Sequence, residues 1–242
     1  MYQLINVYQS NMNERHRNKR LAAMRYVLAM PRSVWYNFRL LPMRQARHLP
    51  LLISHRTRVV DVSGKINLCA KSLRIGMVKI GFNTCQMTDF RYHRTMLNIR
   101  GRLDIMGECA IGAGSSIEVS ESGTLTLGDH FNMGPCSLIV CHKGVAFGRD
   151  VLTSWRCTFM DTDQHRLVDE EGCCCNEDRP IVFGDNVWCG CNVTVIKGTR
   201  VCSHTTIGAC SCVHGVFDEE RTVIAGNPVR VVRRGVWREI EN

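Results

Sequence analysis

The feature that most constrains this chain is a repeat with a period of six residues. Between Phe183 and Val213, an aliphatic or small residue recurs at every sixth position, and glycine follows several of them. A helix turns every 3.6 residues, so this period would spread the side chains over all of its faces and bury none. Short strands with a corner every six residues keep one position of each unit on a straight inner edge. The period therefore predicts a solenoid.

The fifth residue of each unit is also small or branched. The series runs Val187, Val193, Thr199, Thr205 and Ser211. An earlier block has the same period, with apolar residues at positions 99, 105, 111 and 117 and again at 127, 133, 139, 145, 151 and 157; the step of ten between the two runs predicts an insertion of about four residues near 121–124. We expect the aliphatic side chain to fill the interior, glycine to permit the turn and the fifth residue to fit the corner.

The sequence before residue 60 has a different character. It contains ten arginines and Lys19 against Glu14 alone, whereas the whole chain has a formal net charge of +9. Residues 13–30 are helix-like, and prolines at 31, 42 and 50 predict short helices after them. We predict a basic cap over residues 1–58, a solenoid over 59–234 with a projecting loop at about 158–182, and a tail over 235–242.

The basic cap has two interpretations. It could contact an anionic membrane surface, where lipid-linked glycans are built, or it could be a helical cap with a solvated charged face. Nucleic acid is not an expected partner, because no binding motif accompanies the charge.

The remaining sequence features predict where the protein is located and what role its cysteines have. The N-terminus lacks the apolar stretch of a secretory signal, and no run of 18 apolar residues occurs, which predicts a cytoplasmic protein that could be peripheral at the membrane. The fourteen cysteines form no C-x-x-C pair, so we predict no metal site and expect most thiols to be small packing residues.

These units resemble the hexapeptide repeat of the left-handed β-helix acyltransferases, in particular the sugar, capsular and O-antigen polysaccharide O-acetyltransferases. The resemblance covers about residues 97–234. It implies an all-β, left-handed parallel β-helix, acetyl-CoA as co-substrate, and a homotrimer with each site between two chains. It also implies transfer of an acetyl group to a hydroxyl of a sugar or lipid-linked glycan precursor.

A break in the repeat carries the first candidate site. After Cys157 the chain leaves the coil through Asp161-Thr162-Asp163-Gln164-His165. Histidine has the side-chain pKa nearest neutrality and suits a general base. The segment looks like the family motif whose histidine takes the acceptor proton, which assigns that role to His165. We expect Asp161 and Asp163 to orient the imidazole or to bind the hydroxyls of the acceptor.

The second candidate site surrounds Trp188. A tryptophan is too large for a coil corner and must point outward, either as an interface residue or as a cleft wall. In the family, the matching tryptophan lines the acceptor end of the cleft, and the residue after Gly190, here Cys191, offers its backbone N–H to the thioester carbonyl. A covalent role for Cys191 is the alternative.

The third candidate site follows the last coil and, by resemblance, borders coenzyme A. Gly208 and Ala209 match the place where small residues let the pantetheine arm lie against the coil. The segment Ala-Gly-Asn-Pro-Val-Arg-Val-Val-Arg resembles the family signature, which assigns coenzyme binding to Ala225, Gly226, Asn227, Pro228, Arg230 and Arg233.

Two positions depart from the family pattern. His214-Gly215 stands where many relatives have Thr-Lys, so one expected coenzyme contact is absent. Only Asn132 or Ser137 could replace the asparagine that holds the acceptor, which leaves the acceptor open. Carbonic anhydrases share this coil but need an H-x4-H pair that is missing here. A non-catalytic scaffold, or an acyltransferase for a non-sugar acceptor, is the remaining alternative. The sequence does not distinguish acetyl from a larger acyl donor.

Overall fold

The computed structural model describes residues 23–85 and 92–240. Across these residues short parallel strands follow one another round three sheets, and each strand pairs with strands of the preceding and following coils. The predicted fold, a left-handed parallel β-helix, is confirmed. Residues 1–22 of the predicted cap lie outside the described residues. So do residues 89–91 of a loop that interrupts the weaker sequence repeats near 89–94.

The described residues form one sheet of nine strands and two of seven. The first sheet contains β1 (Leu51–Ile53), β4 (Val78–Asn83), β7 (Cys109–Gly112), β10 (Phe131–Met133), β13 (Leu152–Thr153), β16 (Trp188–Cys189), β19 (Thr206–Ile207), β22 (Thr222–Gly226) and β23 (Val229–Arg234). The second contains β2 (Arg58–Asp61), β5 (Met96–Ile99), β8 (Ser116–Val119), β11 (Leu138–Cys141), β14 (Thr158–Met160), β17 (Thr194–Ile196) and β20 (Cys212–Val213). The third contains β3 (Lys65–Leu68), β6 (Arg102–Ile105), β9 (Thr124–Leu127), β12 (Gly144–Phe147), β15 (Ile181–Phe183), β18 (Arg200–Val201) and β21 (Val216–Phe217).

Two helices precede the coils in the described chain: α1, over residues 23–40, and α2 (Met43–Ala46). The predicted interruption at Pro31 is wrong, because α1 continues through it. Proline removes one backbone donor, and the packing of the helix against the first coil outweighs that loss.

Polar side chains of α1 cap the open edge of β1. The Asn37 amide donates to the Leu51 carbonyl at 2.7 Å and accepts the Leu51 N–H at 3.0 Å. The Ser33 hydroxyl accepts the Ile53 N–H at 2.9 Å. Since an open sheet edge presents unpaired backbone groups, these contacts close one end of the solenoid. The coils thus begin with β1, before the boundary predicted at residue 59.

The interior confirms the hexad pattern but shifts part of its register. The five predicted fifth-place residues are all buried. In the earlier block, however, Phe147, Thr153 and Phe159 occupy the column in which residues 145, 151 and 157 were expected. The corner at 142–143 holds two more residues than a regular unit, and this extra length moves the register by two positions.

Aromatic side chains fill the middle of the solenoid. Phe147 packs against Phe131, Phe159 and Phe183, with ring centroids 4.7, 5.1 and 5.3 Å apart. Phe159 and Phe183 also contact each other at 5.8 Å. They belong to β14 and β15, the strands that flank the projecting loop, so the loop leaves and re-enters the coil above a packed core.

The cysteines only partly follow the prediction. Four are buried, namely Cys109, Cys141, Cys157 and Cys189, and the other ten are partly or fully exposed. Four of the fourteen thiols are therefore fully buried packing residues, fewer than the majority expected. Burial raises the pKa of Cys109 and Cys141 to about 12.

Candidate active site

The loop bearing His165 leaves the corner between the second and third sheets and is anchored there by Asp161. The Asp161 carboxylate is fully buried and accepts the backbone N–H groups of His142, Lys143 and Gly144 at 2.7, 2.8 and 2.6 Å. Asp161 thereby supplies the hydrogen-bond acceptors for the backbone N–H groups of the turn in the preceding coil. A carboxylate so buried and occupied cannot reach an acceptor, so the binding role predicted for Asp161 does not fit the structure.

Lys197, from the coil that follows the loop, holds both ends of the loop. The residue is 8% exposed, and its ammonium donates to Oδ2 of Asp163 at 2.5 Å and to the carbonyl of Asn176 at 2.6 Å. The hydrogen bond from Lys197, followed by that from Asn176, lowers the pKa of Asp163. Asp163 is thus held as a carboxylate in an ion pair at the base of the loop.

The Asn176 side chain ties the two halves of the loop together. Its Nδ2 donates to Oδ2 of Asp163 at 2.9 Å and to the carbonyl of His165 at 2.8 Å. Its Oδ1 accepts the N–H of Leu167 at 2.7 Å. One amide therefore holds the Asp163 side chain and the backbone at and after His165.

The turn before His165 has a local cause. The Thr162 hydroxyl accepts the N–H of Gln164 at 2.9 Å, and Gln164 has a φ of 61°. Such side-chain bonds to backbone two residues on are typical of tight turns. His165 follows the turn and is exposed, and within the described residues its imidazole has no hydrogen-bond partner. It borders an open cavity of about 300 Å³ with His142 and Glu177.

Trp188 lies on another side of the solenoid. It is 38% exposed on β16, and its neighbours in the ladder of the first sheet are Leu152 and Thr206. It borders a cavity of about 750 Å³ that also contains Asn132 and Ser154. His165 instead projects from the corner opposite this sheet, so a single chain does not bring Trp188 and His165 together.

The two residues that could hold the acceptor have different surroundings in the structure. Asn132 lies in the Trp188 cavity, where its Oδ1 accepts a hydrogen bond from Asn83 at 3.1 Å. Ser137 is buried, and its hydroxyl accepts the N–H of Cys157 at 3.1 Å. Asn132 alone of this pair faces a cavity.

The C-terminal segment forms part of the same cavity, a feature that sequence analysis missed. The Arg238 guanidinium donates to Oδ1 of Asn186 at 2.9 and 3.1 Å and to the Asp150 carbonyl at 2.5 Å. Asn186 returns a bond to the carbonyl of Arg238 at 3.0 Å. Residues 238–240 thus border the cavity beside Trp188.

The corner between the first and second sheets presents free backbone donors. Within the described residues, the N–H groups of Cys191 and Ala209 have no hydrogen-bond partner. At the equivalent positions of the corner between the third and first sheets, side chains cap the turns: Asp185 accepts the Arg149 N–H at 2.7 Å, and Ser203 accepts the Asp185 N–H at 3.0 Å. The uncapped donors can therefore bind a carbonyl oxygen from outside.

Close packing requires glycine at this corner. A Cβ on Gly190 would lie 2.6 Å from the backbone nitrogen of Ala209, and one on Gly208 would lie 2.8 Å from the Cβ of Ala225. Successive coils approach so closely at this corner that only glycine fits at these two positions.

Residues 225–233 form a hairpin that ends the solenoid. β22 and β23 pair antiparallel, and Asn227 and Pro228 make the turn through a cis peptide bond. Arg230 and Arg233 are exposed and form no ion pair with another described residue. The structure thus leaves these two guanidinium groups available to an anionic ligand.

Known proteins resemble this chain over much of its length. No protein-family model matches it. It is 27% identical over 147 residues to an uncharacterised 24.8 kDa protein in the cps region of Klebsiella pneumoniae, covering 59% of this chain and 63% of that protein, just under two thirds. It is 23% identical over 168 residues to the putative lipopolysaccharide biosynthesis O-acetyl transferase WbbJ of Escherichia coli K12, covering 65% of this chain and 83% of that protein.

The fold has a counterpart among solved structures. The crystal structure of the polySia-specific acetyltransferase NeuO matches with a TM-score of 0.57 and 20% identity, covering 77% of this chain and 83% of that chain. At this identity the likeness shows a common fold.

Proposed function

We propose that this chain is a hexapeptide-repeat acyltransferase that transfers an acetyl group from acetyl-CoA to a hydroxyl of a sugar or glycan precursor. The observation that carries the proposal is the clamped loop, in which Lys197, Asp163 and Asn176 fix the backbone around an exposed His165. A scaffold protein would have no need for such a loop. The relative WbbJ, named as a putative O-acetyl transferase, supports the same reaction class.

The proposed reaction is direct transfer. His165 takes the proton of the acceptor hydroxyl as its oxygen attacks the thioester carbonyl carbon. The Cys191 N–H, free within the described residues, donates to the oxyanion that forms. When the C–S bond breaks, the thiolate of coenzyme A leaves and takes the proton from the imidazolium. No covalent enzyme intermediate is needed, so Cys191 acts through its backbone.

The proposed donor site runs from that corner to the terminal hairpin. Gly190, Gly208 and Ala209 leave this corner without large side chains, so the pantetheine arm can lie against it, and the hairpin places Arg230 and Arg233 near its end for the coenzyme phosphates. The remaining predicted residues of the hairpin shape the turn. Acetyl-CoA is the proposed co-substrate. That the chain has no metal site stays a prediction.

The proposed acceptor site is the cavity beside Trp188. An aromatic face with surrounding amide and hydroxyl groups suits a sugar ring, which has apolar C–H faces and a rim of hydroxyls. Trp188, Asn132 and Ser154 supply these groups. Asp163 is left with its second carboxylate oxygen for the acceptor, whereas Asp161 is withdrawn from this role. A non-sugar hydroxyl remains the alternative acceptor.

A homotrimer would complete the site. Since His165 and Trp188 occupy different sides of one chain, the proposal requires His165 of one subunit to face the Trp188 cavity of its neighbour. Mixing the His165→Ala and Trp188→Ala variants tests this directly. Both homotrimers should be weakly active, and refolded mixtures should regain part of the wild-type activity. No recovery would contradict a site shared between subunits.

The central test is an assay of purified protein with acetyl-CoA and a panel of sugars. His165→Ala should reduce transfer by about a thousandfold and leave acetyl-CoA binding intact, because the base acts only on the acceptor proton. His48→Ala, a change in the cap, is the matched control and should retain full activity. Unchanged transfer in His165→Ala would remove this residue as base, and failure to bind any acyl-CoA would favour the scaffold.

A cytoplasmic location with peripheral contact at an anionic membrane completes the proposal. Within residues 23–85 and 92–240, no helix is long and apolar enough to cross a bilayer.

A further inference from the structure

Helix α1 has two faces with different surroundings. Its inner face contains Ala29, Ser33, Tyr36 and Asn37, all buried against the first coil. This face accounts for the capping of β1. It leaves the opposite side of the helix pointing away from the end of the solenoid.

The outer face of α1 is apolar and exposed. Met24, Val27, Leu28, Trp35 and Phe38 are between 47% and 70% exposed. Their spacings of three, four and seven residues place them along one side of the helix. Exposed apolar side chains are ordinary when scattered, but a continuous stripe on a helix marks a contact surface.

Three arginines follow one flank of this stripe. Arg25, Arg32 and Arg39 are seven residues apart, so their side chains leave the helix on the same side. The Arg39 guanidinium lies over the Trp35 ring, 5.1 Å from its centroid. Arg25 and Arg32 are half-buried, and Arg32 donates to the His55 carbonyl at 3.4 Å, so Arg39 is the exposed charge of the three on this border.

The surrounding sequence adds positive charge and no negative charge. Between Glu14 and Asp61 there is no acidic residue, and the exposed Arg44 and Arg47 follow α1 within a few residues. Net charge of one sign beside an apolar stripe is typical of helices that lie in the headgroup region of anionic bilayers.

We propose that the outer face of α1 docks on an anionic lipid surface. Trp35 and Phe38 enter the headgroup layer, and the exposed Arg39, Arg44 and Arg47 meet the lipid phosphates. The docking surface is separate from His165 and Trp188, so it does not depend on the proposed reaction. It would hold the solenoid with its N-terminal end against the membrane.

A second copy of the chain fits this surface less well. Symmetrical pairing of two such helices would bring the exposed Arg39 of each copy beside the same apolar seam, with no carboxylate from this segment to oppose it. Like charges along a helical seam disfavour pairing. Anionic lipid supplies the opposite charge to Arg39 and to the exposed Arg44 and Arg47.

The test uses the full-length protein and sedimentation with vesicles of phosphatidylcholine alone or mixed with one third phosphatidylglycerol. Each arginine near an anionic surface contributes about a fivefold gain in binding, so the mixed vesicles should bind far more protein, and added salt should release it. Trp35→Gln with Phe38→Gln should weaken binding by about tenfold or more. Arg39→Gln with Arg44→Gln should remove most of the preference for the anionic lipid.

The matched control changes exposed apolar side chains elsewhere. Ile75 and Val216 are 72% and 62% exposed, and the variant Ile75→Gln with Val216→Gln should bind vesicles like wild type. Equal binding to both vesicle types, or binding to neither, would overturn the proposal. So would a Trp35→Gln, Phe38→Gln variant that loses self-association in sedimentation velocity while keeping its vesicle binding, because a second copy would then be the occupant.

Discussion

The ammonium of Lys197 lies 2.5 Å from Oδ2 of Asp163, and this contact connects the coil to the loop that presents His165. Lys197 belongs to the corner after β17, not to the loop. The same ammonium holds the carbonyl of Asn176, at the far side of the loop. The position of His165 is therefore set by the rigid coil through one nearly buried cation.

Removing that cation should loosen the loop without unfolding the coil. In Lys197→Met the side chain keeps its length but loses both hydrogen bonds, while the half-exposed Asp163 can be solvated by water. We expect kcat to fall by about a hundredfold, because small displacements of a catalytic group are costly. The KM for acetyl-CoA should change little, and proteases should cut the loop faster.

Lys65→Met, at an exposed site on β3, is the matched control. If Lys197→Met raised the KM for acetyl-CoA and left kcat unchanged, Lys197 would act in donor binding and not in positioning His165.

The Asp163 ion pair should make stability depend on pH. Its pKa is lowered in the folded protein, chiefly by Lys197. A carboxyl with a lowered pKa contributes stability above its unfolded value of about 3.9, and this contribution disappears as the pH falls through the folded pKa. Asp163→Asn should therefore lower the melting temperature at neutral pH, and its difference from wild type should shrink in acid. Asp218→Asn, at an exposed turn, should show no such trend.

Asp161 should behave as a structural residue. Asp161→Ala leaves three backbone N–H groups without their acceptor, which we expect to cost about 3 kcal/mol and to lower the melting temperature by about 6–12 °C. Calorimetry of this variant beside Asp218→Ala measures the effect. An unchanged melting temperature with a raised KM for the acceptor would restore the binding role first predicted for Asp161.

Buried and exposed cysteines should differ in their rate of alkylation. Burial raises the pKa of Cys109 and Cys141 to about 12 and also shields their sulfur atoms. At about pH 8.5 fewer than about one in a thousand of these thiols is ionised, so alkylation should be slow. Cys69 and Cys210 are exposed and should react first in a timed iodoacetamide reaction read by peptide mass spectrometry. Equal labelling rates in the folded protein would contradict the burial of Cys109 and Cys141.

Much of the fold could be predicted because the hexad pattern is local. A period of six needs no knowledge of distant partners, and the burial of residues such as Val187 and Val193 follows directly from it. The shift at Phe147 could not be foreseen, because the number of residues in the corner at 142–143 is set by the turn that Asp161 caps, nineteen residues later in the chain for His142. Because the pattern accepts several residue types at each position, it does not reveal an insertion of two residues.

The candidate site was predictable in its motifs and not in its supports. His165 stands in a recognisable segment, whereas Lys197 lies 34 residues from Asp163 and looks like any solvated lysine in a turn. Asn176 sits in a polar stretch with no pattern. Arg238 was predicted to lie in the C-terminal tail, because nothing in the sequence indicates that its guanidinium donates to Asn186. Such contacts depend on which coils become neighbours.

The closure of the first coil by Ser33 and Asn37 has a consequence for how the protein behaves in bulk. Parallel strands stacked in register are also the arrangement found in fibrils, and an uncovered terminal strand would be a template for the next molecule. By occupying the backbone groups of Leu51 and Ile53, α1 makes the stack finite. A variant that lacks residues 1–49 would expose this edge and should polymerise end to end.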